Sequence, residues 1–517
     1  MPHDHDAVRR NLVLGAAAVA GASALRGLAA AGMTSAPPTP LSDLSAVEAV
    51  ARMSRGEMTC EQYAQALLER CRGAHALNAF ITLKPEQVLE DARARDRERS
   101  AGKPAGPLFG LPIPVKDSVN TRDYPTSGGT AALKNFHPQE DAPLVAALRA
   151  AGAIVLGKTN LHELSFGWTS NNLAFGAVHN PYDLTRIPGG SSGGTGAAIA
   201  ARLAPLGVAE DTEGSIRVPA AFCGIQGFRP TTGRYSTKAC VPISPLFDQV
   251  GPHARSVADL RLFDSVAATG PAAVRAAAAR EPRTPALRGM RLGIVRTYWF
   301  EGLDSEVDRI TDLALKRLED AGAVLVEADM AGLARLIELT TDQVQNHDVR
   351  FALPKYLSEY GTGITLQQLL DRASPDIQAI FRSDVLPGGA NTVSERVFAD
   401  ARDHYLPQLR QLYRDYFART QVAAMVFPAT RVPPPPIGQE TTLDIRGKAV
   451  PFEDAVARNI APGSTAGVPG LVMPAGLTAG GLPVALEFDG PAGSDRELLA
   501  LGMAIEPVLG PIPAPQG

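Results

Sequence analysis

Cysteine is nearly missing from this 517-residue chain, and the four present, Cys60, Cys71, Cys223 and Cys240, form no CxxC pair. A disulfide framework needs far denser cysteine and a zinc site needs closer pairs, so these four read as small buried thiols. Charge of one sign is lacking too: 50 Lys and Arg stand against 54 Asp and Glu, a net charge of −4. That balance excludes a broadly basic nucleic-acid binder, and no nucleic-acid partner is expected. Lysine is scarce throughout, so a lysine at the end of a strand stands out. No apolar run reaches the about 20 residues needed to cross a bilayer. No Gly/Ser linker, charge block or internal repeat divides the body. No metal and no cofactor is implied by any cluster of ligating residues.

What is present is a globular composition, 45% hydrophobic and 20% charged, with enough apolar residues for a sizeable core. At the N-terminus Arg9-Arg10 precede an uncharged apolar run from Leu12 to Leu25, and Ala29-Ala30-Ala31 supplies a small-residue cleavage pattern. The layout resembles a twin-arginine export signal over 1–31. It predicts cleavage near Ala31, a periplasmic or secreted product and no stable membrane anchor. A Pro-rich linker (32–40) then leads into the body (41–517). There, helical patterns over 45–53, 60–72, 86–100, 141–151 and 305–321 alternate with strand patterns at 112–116, 153–157, 291–295, 323–326, 422–427 and 483–488. A last helix begins at Asp495. Strands interleaved with helices predict an α/β fold with a largely buried sheet. The stretch from about 332 to 420 lacks strand signals and reads as a helical elaboration over one side of that sheet.

Two glycine-dense segments dominate the middle: Pro188-Gly189-Gly190-Ser191-Ser192-Gly193-Gly194-Thr195-Gly196 and Glu210-Asp211-Thr212-Glu213-Gly214-Ser215-Ile216-Arg217-Val218-Pro219. A glycine loop opening a helix collects unpaired N–H groups and can cradle phosphate. That reading fails on detail, because no lysine follows the glycines as a P-loop requires and no GxGxxG sits at a strand-to-helix turn.

Taken with Gly110-Leu111-Pro112-Ile113-Pro114-Val115-Lys116-Asp117 upstream, the two segments resemble the motifs of the amidase signature family, and 24 positions separate Ser191 from Ser215 as in that family. Gly157-Lys158-Thr159-Asn160, Asn180-Pro181-Tyr182-Asp183, Gly251–Ser256 and Gly481–Val484 echo it further, from about Leu41 to Leu509. The resemblance implies a single large domain with a mixed central β-sheet covered by α-helices on both faces. It also implies a Ser–cisSer–Lys triad carried by Ser215, Ser191 and Lys116, with a cis Gly190–Ser191 bond. Ser215 would attack the amide carbonyl to form an acyl-enzyme, Ser191 would relay the proton, and Lys116 would accept it. A lysine can serve as base only when neutral, and its ordinary pKa of about 10.4 lies about 3 units, or roughly 4–5 kcal/mol, above pH 7. Burial away from carboxylates is the expected remedy, with Asp117 turned aside by strand alternation. No histidine sits in either serine motif, which disfavours a Ser-His-Asp triad.

The backbone N–H groups of Thr212, Glu213, Gly214 and Ser215 are expected to form the oxyanion hole. Glu213 stands where the family has glycine; a positive φ there would be strained, and its carboxylate would repel anionic substrates. Arg217 is expected to brace the loop against Asp211. Phe166, Trp168, Val218, Leu246 and Phe247 are the candidate substrate contacts, with Phe175, Phe351, Tyr356 and Tyr360 behind them. As a set they point to an apolar, aryl-accepting pocket. Glu210–Pro219 and Ala485–Gly490 resemble the mandelamide and indoleacetamide hydrolase branch, which implies a small aryl or aryl-alkyl amide as substrate partner. Anilide, carbamate or ester hydrolysis on the same triad is the nearest alternative. A glutaminase-type amidotransferase subunit and a non-catalytic binding protein stand further off. A homodimer is compatible with everything above.

Overall fold

Short apolar runs, most of them preceded by an amphipathic helix, supply the frame. The computed structural model describes residues 39–268 and 282–516, and eleven strands form one mixed sheet. In chain order they are β1 (Phe80–Leu83), β2 (Pro112–Lys116), β3 (Ile154–Thr159), β4 (Leu206–Asp211), β5 (Gln226–Arg229), β6 (Gln249–Ala254), β7 (Arg291–Ile294), β8 (Val324–Glu327), β9 (Ala424–Pro428), β10 (Gly470–Leu477) and β11 (Pro483–Asp489). Across the sheet they run β1-β3-β2-β4-β6-β5-β10-β11-β9-β7-β8. β2 lies parallel to β3 and to β4, and β7 lies parallel to β8 and β9. The strands from β4 across to β9 pair antiparallel. The chain is a single large α/β domain with helices flanking this sheet.

The helices begin where local chemistry closes their ends. Ser45 and Thr59 each accept a hydrogen bond from the backbone three residues on, and Glu48 and Gln62 reach back, so Ala46–Arg55 and Cys60–Gly73 both open with capping boxes. Pro85–Ser100 buries only Val88 and Ala92 fully, and its Asp96 accepts from the N–H groups of Cys60 and Glu61 at the start of the preceding helix. Strands that alternate with helices form close to their expected bounds. Five of the eleven were not predicted: β1, β4, β5, β6 and β10. Three of them carry buried polar groups, among them Glu210, Asp211, Gln226, Arg229, Gln249 and His253, which break the apolar run that marks a buried strand.

Between β8 and β9 the chain is helical. This stretch packs through clusters of its own: Val349, Leu353, Tyr356, Leu369 and Phe381 gather with Leu164 and Val241, while Val344, Val393, Phe398, Ala401 and Leu406 gather around Phe247. The helix Thr341–Glu359 carries Asp342 and Gln345 to the cavity described below. The four cysteines are buried free thiols. The expected leader over 1–31 and the linker up to residue 38 lie outside the described residues. No helix among the described residues is long and apolar enough to cross a membrane.

Candidate active site

Strand β2 ends at Lys116, and its burial follows from its place between β3 and β4. Its amine lies 2.7 Å from the Ser191 hydroxyl, and both residues are fully buried. Ser191 follows a cis peptide bond from Gly190 and stands just ahead of the buried helix Gly193–Ala200. A Cβ on Gly190 would sit 2.7–2.8 Å from the backbone of residues 167–169, so only glycine fits there. Ser215 precedes the buried helix Arg217–Cys223. It is 5% exposed, lines a cavity, and its hydroxyl makes no hydrogen bond among the described residues. Its carbonyl accepts from the Ser192 N–H at 3.3 Å, tying the two glycine-dense segments together.

Alternation along the strand turns Asp117 away from Lys116, as expected. Asp117 pairs with Lys158 at 3.0 Å and accepts from the hydroxyl and, at 2.9 Å, the N–H of Ser127. The expectation that Lys116 stands away from carboxylates is overturned. Glu210 Oε2 lies 2.7 Å from its amine, and the Glu210 carbonyl lies 3.3 Å away. Glu210 and Asp211 are neighbours on β4, so they face opposite sides of the sheet, and this register puts Glu210 under Lys116.

That carboxylate is not bare. Glu210 accepts from the Ser165 hydroxyl at 3.0 Å, and Thr212 Oγ1 lies 3.2 Å from Glu210 Oε1 and 2.6 Å from Asp248 Oδ1. Asp248 also takes the N–H groups of Ile243 and Ser244. Burial, then the charge of Glu210, pushes the Asp248 carboxyl up to about 8, so Asp248 holds a proton at neutral pH. Donated to Thr212, it lets that hydroxyl donate onward to Glu210. Hydrogen-bond counting fits either state of the amine. An ammonium donates to Ser191, Glu210 Oε2 and the Glu210 carbonyl. A neutral amine donates to the last two and accepts from Ser191. Sequence reasoning missed Glu210 and Asp248. The signal available was two adjacent acids at the end of a strand, one of which must face the lysine side.

The loop after β4 is held from behind by Asp211. Its carboxylate accepts from the N–H groups of Gly214 (2.8 Å) and Ile216 (3.0 Å) and pairs with Arg217 (3.2 Å) and Arg229 (3.1 Å). Burial alone would raise the Asp211 carboxyl, but the two guanidinium groups outweigh it and hold it well below the usual range. Arg217 thus braces the loop as expected. The oxyanion expectation needs correcting at Gly214, whose N–H is taken by Asp211; Thr212, Glu213 and Ser215 remain as donors. The positive φ falls on Gly214 (+116°) and not on Glu213, so the side chain at 213 brings no backbone strain.

The cavity holds about 250 Å³ and is lined in part by Ser165, Phe166, Trp168, Thr212, Glu213 and Ser215. Phe166 packs on Phe381 at 5.1 Å, and Trp168 Nε1 donates to the Glu213 carbonyl. Val218, Leu246 and Phe247 do not line it. Val218 faces the core from a fully buried helix, and Phe247 with Leu246 packs into the apolar cluster under the helical stretch. Phe175, Phe351, Tyr356 and Tyr360 are also off the cavity; Tyr356 donates instead to Asn120 at 2.6 Å. Ile243 and Ile380 add apolar lining, and Asp342, Gln345, Asn346, Asp384 and Glu453 add polar lining. One carboxylate oxygen each from Glu213, Asp342 and Glu453 lies within 4.8 Å of the others, the one such cluster among the described residues with the spacing to hold a metal ion.

Residues 62–499 match the family model described as "Amidase". The chain is 36% identical to an indoleacetamide hydrolase of Agrobacterium vitis, over 89% of this chain and 96% of that protein. It is 37% identical to a mandelamide hydrolase of Pseudomonas putida, over 93% and 94%. The crystal structure of a peptide amidase from Stenotrophomonas maltophilia superposes with a TM-score of 0.75 at 29% identity, covering 93% of this chain and 99% of that one.

Proposed function

The chain belongs to the amidase family and is a hydrolase of amide C–N bonds, and on that premise we propose that it cleaves small aryl or aryl-alkyl primary amides through Ser215, Ser191 and Lys116. The observation that carries the reading is the 2.7 Å contact between Lys116 and Ser191, fully buried behind the cavity that Ser215 lines. Ser215 Oγ adds to the carbonyl carbon while its proton passes to Ser191 and from Ser191 to Lys116. The N–H groups of Thr212, Glu213 and Ser215 receive the charge that forms on the oxygen. The C–N bond then breaks, the proton returns along the same path to the leaving nitrogen, and ammonia departs. Water repeats the path to release the acid and restore Ser215. Glu210 orients the amine and stabilises it once protonated, the part a carboxylate plays beside an imidazole in a Ser-His-Asp triad.

The small cavity, Phe166 and Trp168, and the names of the two hydrolases above support an aryl-alkyl acid side. The Arg9-Arg10 pair and the apolar run behind it support export. Incubation with mandelamide, phenylacetamide and indoleacetamide, following ammonia, is expected to show turnover of at least one. Silence on all three, with turnover of nitroanilides, carbamates or esters, would replace this substrate class with the alternative on the same triad.

A further inference from the structure

The cavity in front of Ser215 carries charge that a neutral amide leaves unanswered. Glu213, Asp342, Asp384 and Glu453 line it, and no lysine, arginine or histidine does. Three carboxylate oxygens within 4.8 Å of one another leave a point within about 2.8 Å of all three, the N⁺–H···O⁻ distance of a charge-assisted hydrogen bond. Among the described residues the relief inside the cluster is one neutral amide: Gln345 Nε2 donates to Glu213 at 2.7 Å and to Asp342 at 2.9 Å. Burial, then the charges of Asp342 and Glu453, pushes the Glu213 carboxyl well above its ordinary range. Burial, then Asp342, pushes Glu453 up to about 7. Ser215, 5% exposed with an unpartnered hydroxyl, lines the same space, so the acids border the place where a substrate must sit.

We propose that the amide hydrolysed here carries a protonated amine, whose ammonium group seats among Glu213, Asp342 and Glu453 while its carbonyl meets Ser215. An ammonium offers three N–H donors to three carboxylates, and its charge removes the mutual repulsion that crowds them. The inference rests on the amide-hydrolase reading and narrows its substrate to amides with a cationic nitrogen several atoms from the carbonyl.

The test compares 4-(aminomethyl)phenylacetamide with 4-methylphenylacetamide, close in shape and different in charge. Asp342→Asn and Glu453→Gln are made in parallel, isosteric changes at two side chains that line the cavity. The expected ratio of kcat/KM, cationic over neutral, is about tenfold or more, equivalent to about 1.4 kcal/mol. It falls at least threefold in each variant and declines with added salt. A ratio of one or less, or a ratio unmoved by both substitutions, overturns the inference. Titration of the Ser215→Ala protein with both probes separates it from the reading beneath. Tighter binding of the cationic probe through Asp342 and Glu453, with no hydrolysis of either by the wild type, keeps the cation pocket and removes the amidase assignment. Equal binding of the two probes, or uptake of Ca²⁺ with no preference for the cationic one, overturns the pocket whatever the turnover.

Discussion

Lys116 and Lys158 stand on neighbouring parallel strands, both fully buried, each within 3.0 Å of a buried carboxylate. They share residue type, burial and partner charge, and they differ in what else the amine touches. Lys158 reaches the carbonyls of Val119 (2.8 Å) and Pro125 (3.2 Å) and the Thr126 hydroxyl (2.8 Å), none of which lines the cavity. Burial lowers its pKa and Asp117 works against that, yet neither state leads anywhere, because the Thr126 hydroxyl donates onward only to the Val119 carbonyl and carbonyl oxygens pass no proton on. Lys116 touches the hydroxyl of Ser191, in the segment whose Ser192 N–H is tied to the carbonyl of Ser215 at the cavity. A buried lysine beside an acid is therefore no sign of catalysis by itself; the onward partner decides.

The largest effect that sharpens this contrast is on turnover. Lys116→Ala is expected to lose about 10⁴-fold or more in kcat, while its unfolding midpoint stays near the wild type. Glu210 keeps Ser165 and Thr212 as donors and can take up a proton in place of the lost charge. Full activity in that variant would end the proton-relay account.

Lys158→Ala should invert the pattern. Asp117 Oδ1 has no hydrogen-bond donor beyond the Lys158 ion pair, so the variant leaves a buried charge unpaired, at a cost of about 3–5 kcal/mol. Denaturant unfolding reads that loss directly. Activity per folded molecule is expected to remain within a few-fold. Equal losses of activity in the two lysine variants would break the comparison.

Much of this contrast was legible before the fold was known. The order of motifs pointed to Lys116, Ser191 and Ser215, and alternation along β2 turned Asp117 aside. Strands that open on an apolar run, such as β3, β9 and β11, announced themselves by composition. The central antiparallel strands stayed hidden because their inner positions carry Glu210, Asp211 and Arg229, buried polar residues that pair across the sheet over long sequence distances. Asp211 meets Arg217 and Arg229, and Arg217 meets Glu487 at 2.5 Å. Such pairs leave no periodicity to read. The same gap hid Glu210 beneath Lys116 and Asp248 behind it. The aromatics misled in the other direction: Phe247 and Tyr356 are large, and large side chains fill cores more often than pockets.

Glu210→Gln tests the feature that the motifs did not announce. Glu210 does not line the cavity, so kcat is expected to fall about 10–100-fold, a range suited to a group acting through the base, with KM changing less than about twofold. The variant should also change how stability depends on pH. Asp248 has its carboxyl raised from 3.8 to about 8, so between those values the folded protein keeps a proton that the unfolded chain has released. Stability from this group is therefore whole below pH 4 and is lost as pH rises toward 8. With a neutral amide at 210, Asp248 loses its nearest like charge and ionises at lower pH, and the loss shrinks by about 1.4 kcal/mol for each unit its midpoint moves. Urea unfolding of both proteins at pH 5 and pH 8 reads the difference. A fall as steep in the variant as in the wild type would mean that Thr212 does not link the two acids, and Glu210 would then be a simple counterion, no different in kind from Asp117 beside Lys158.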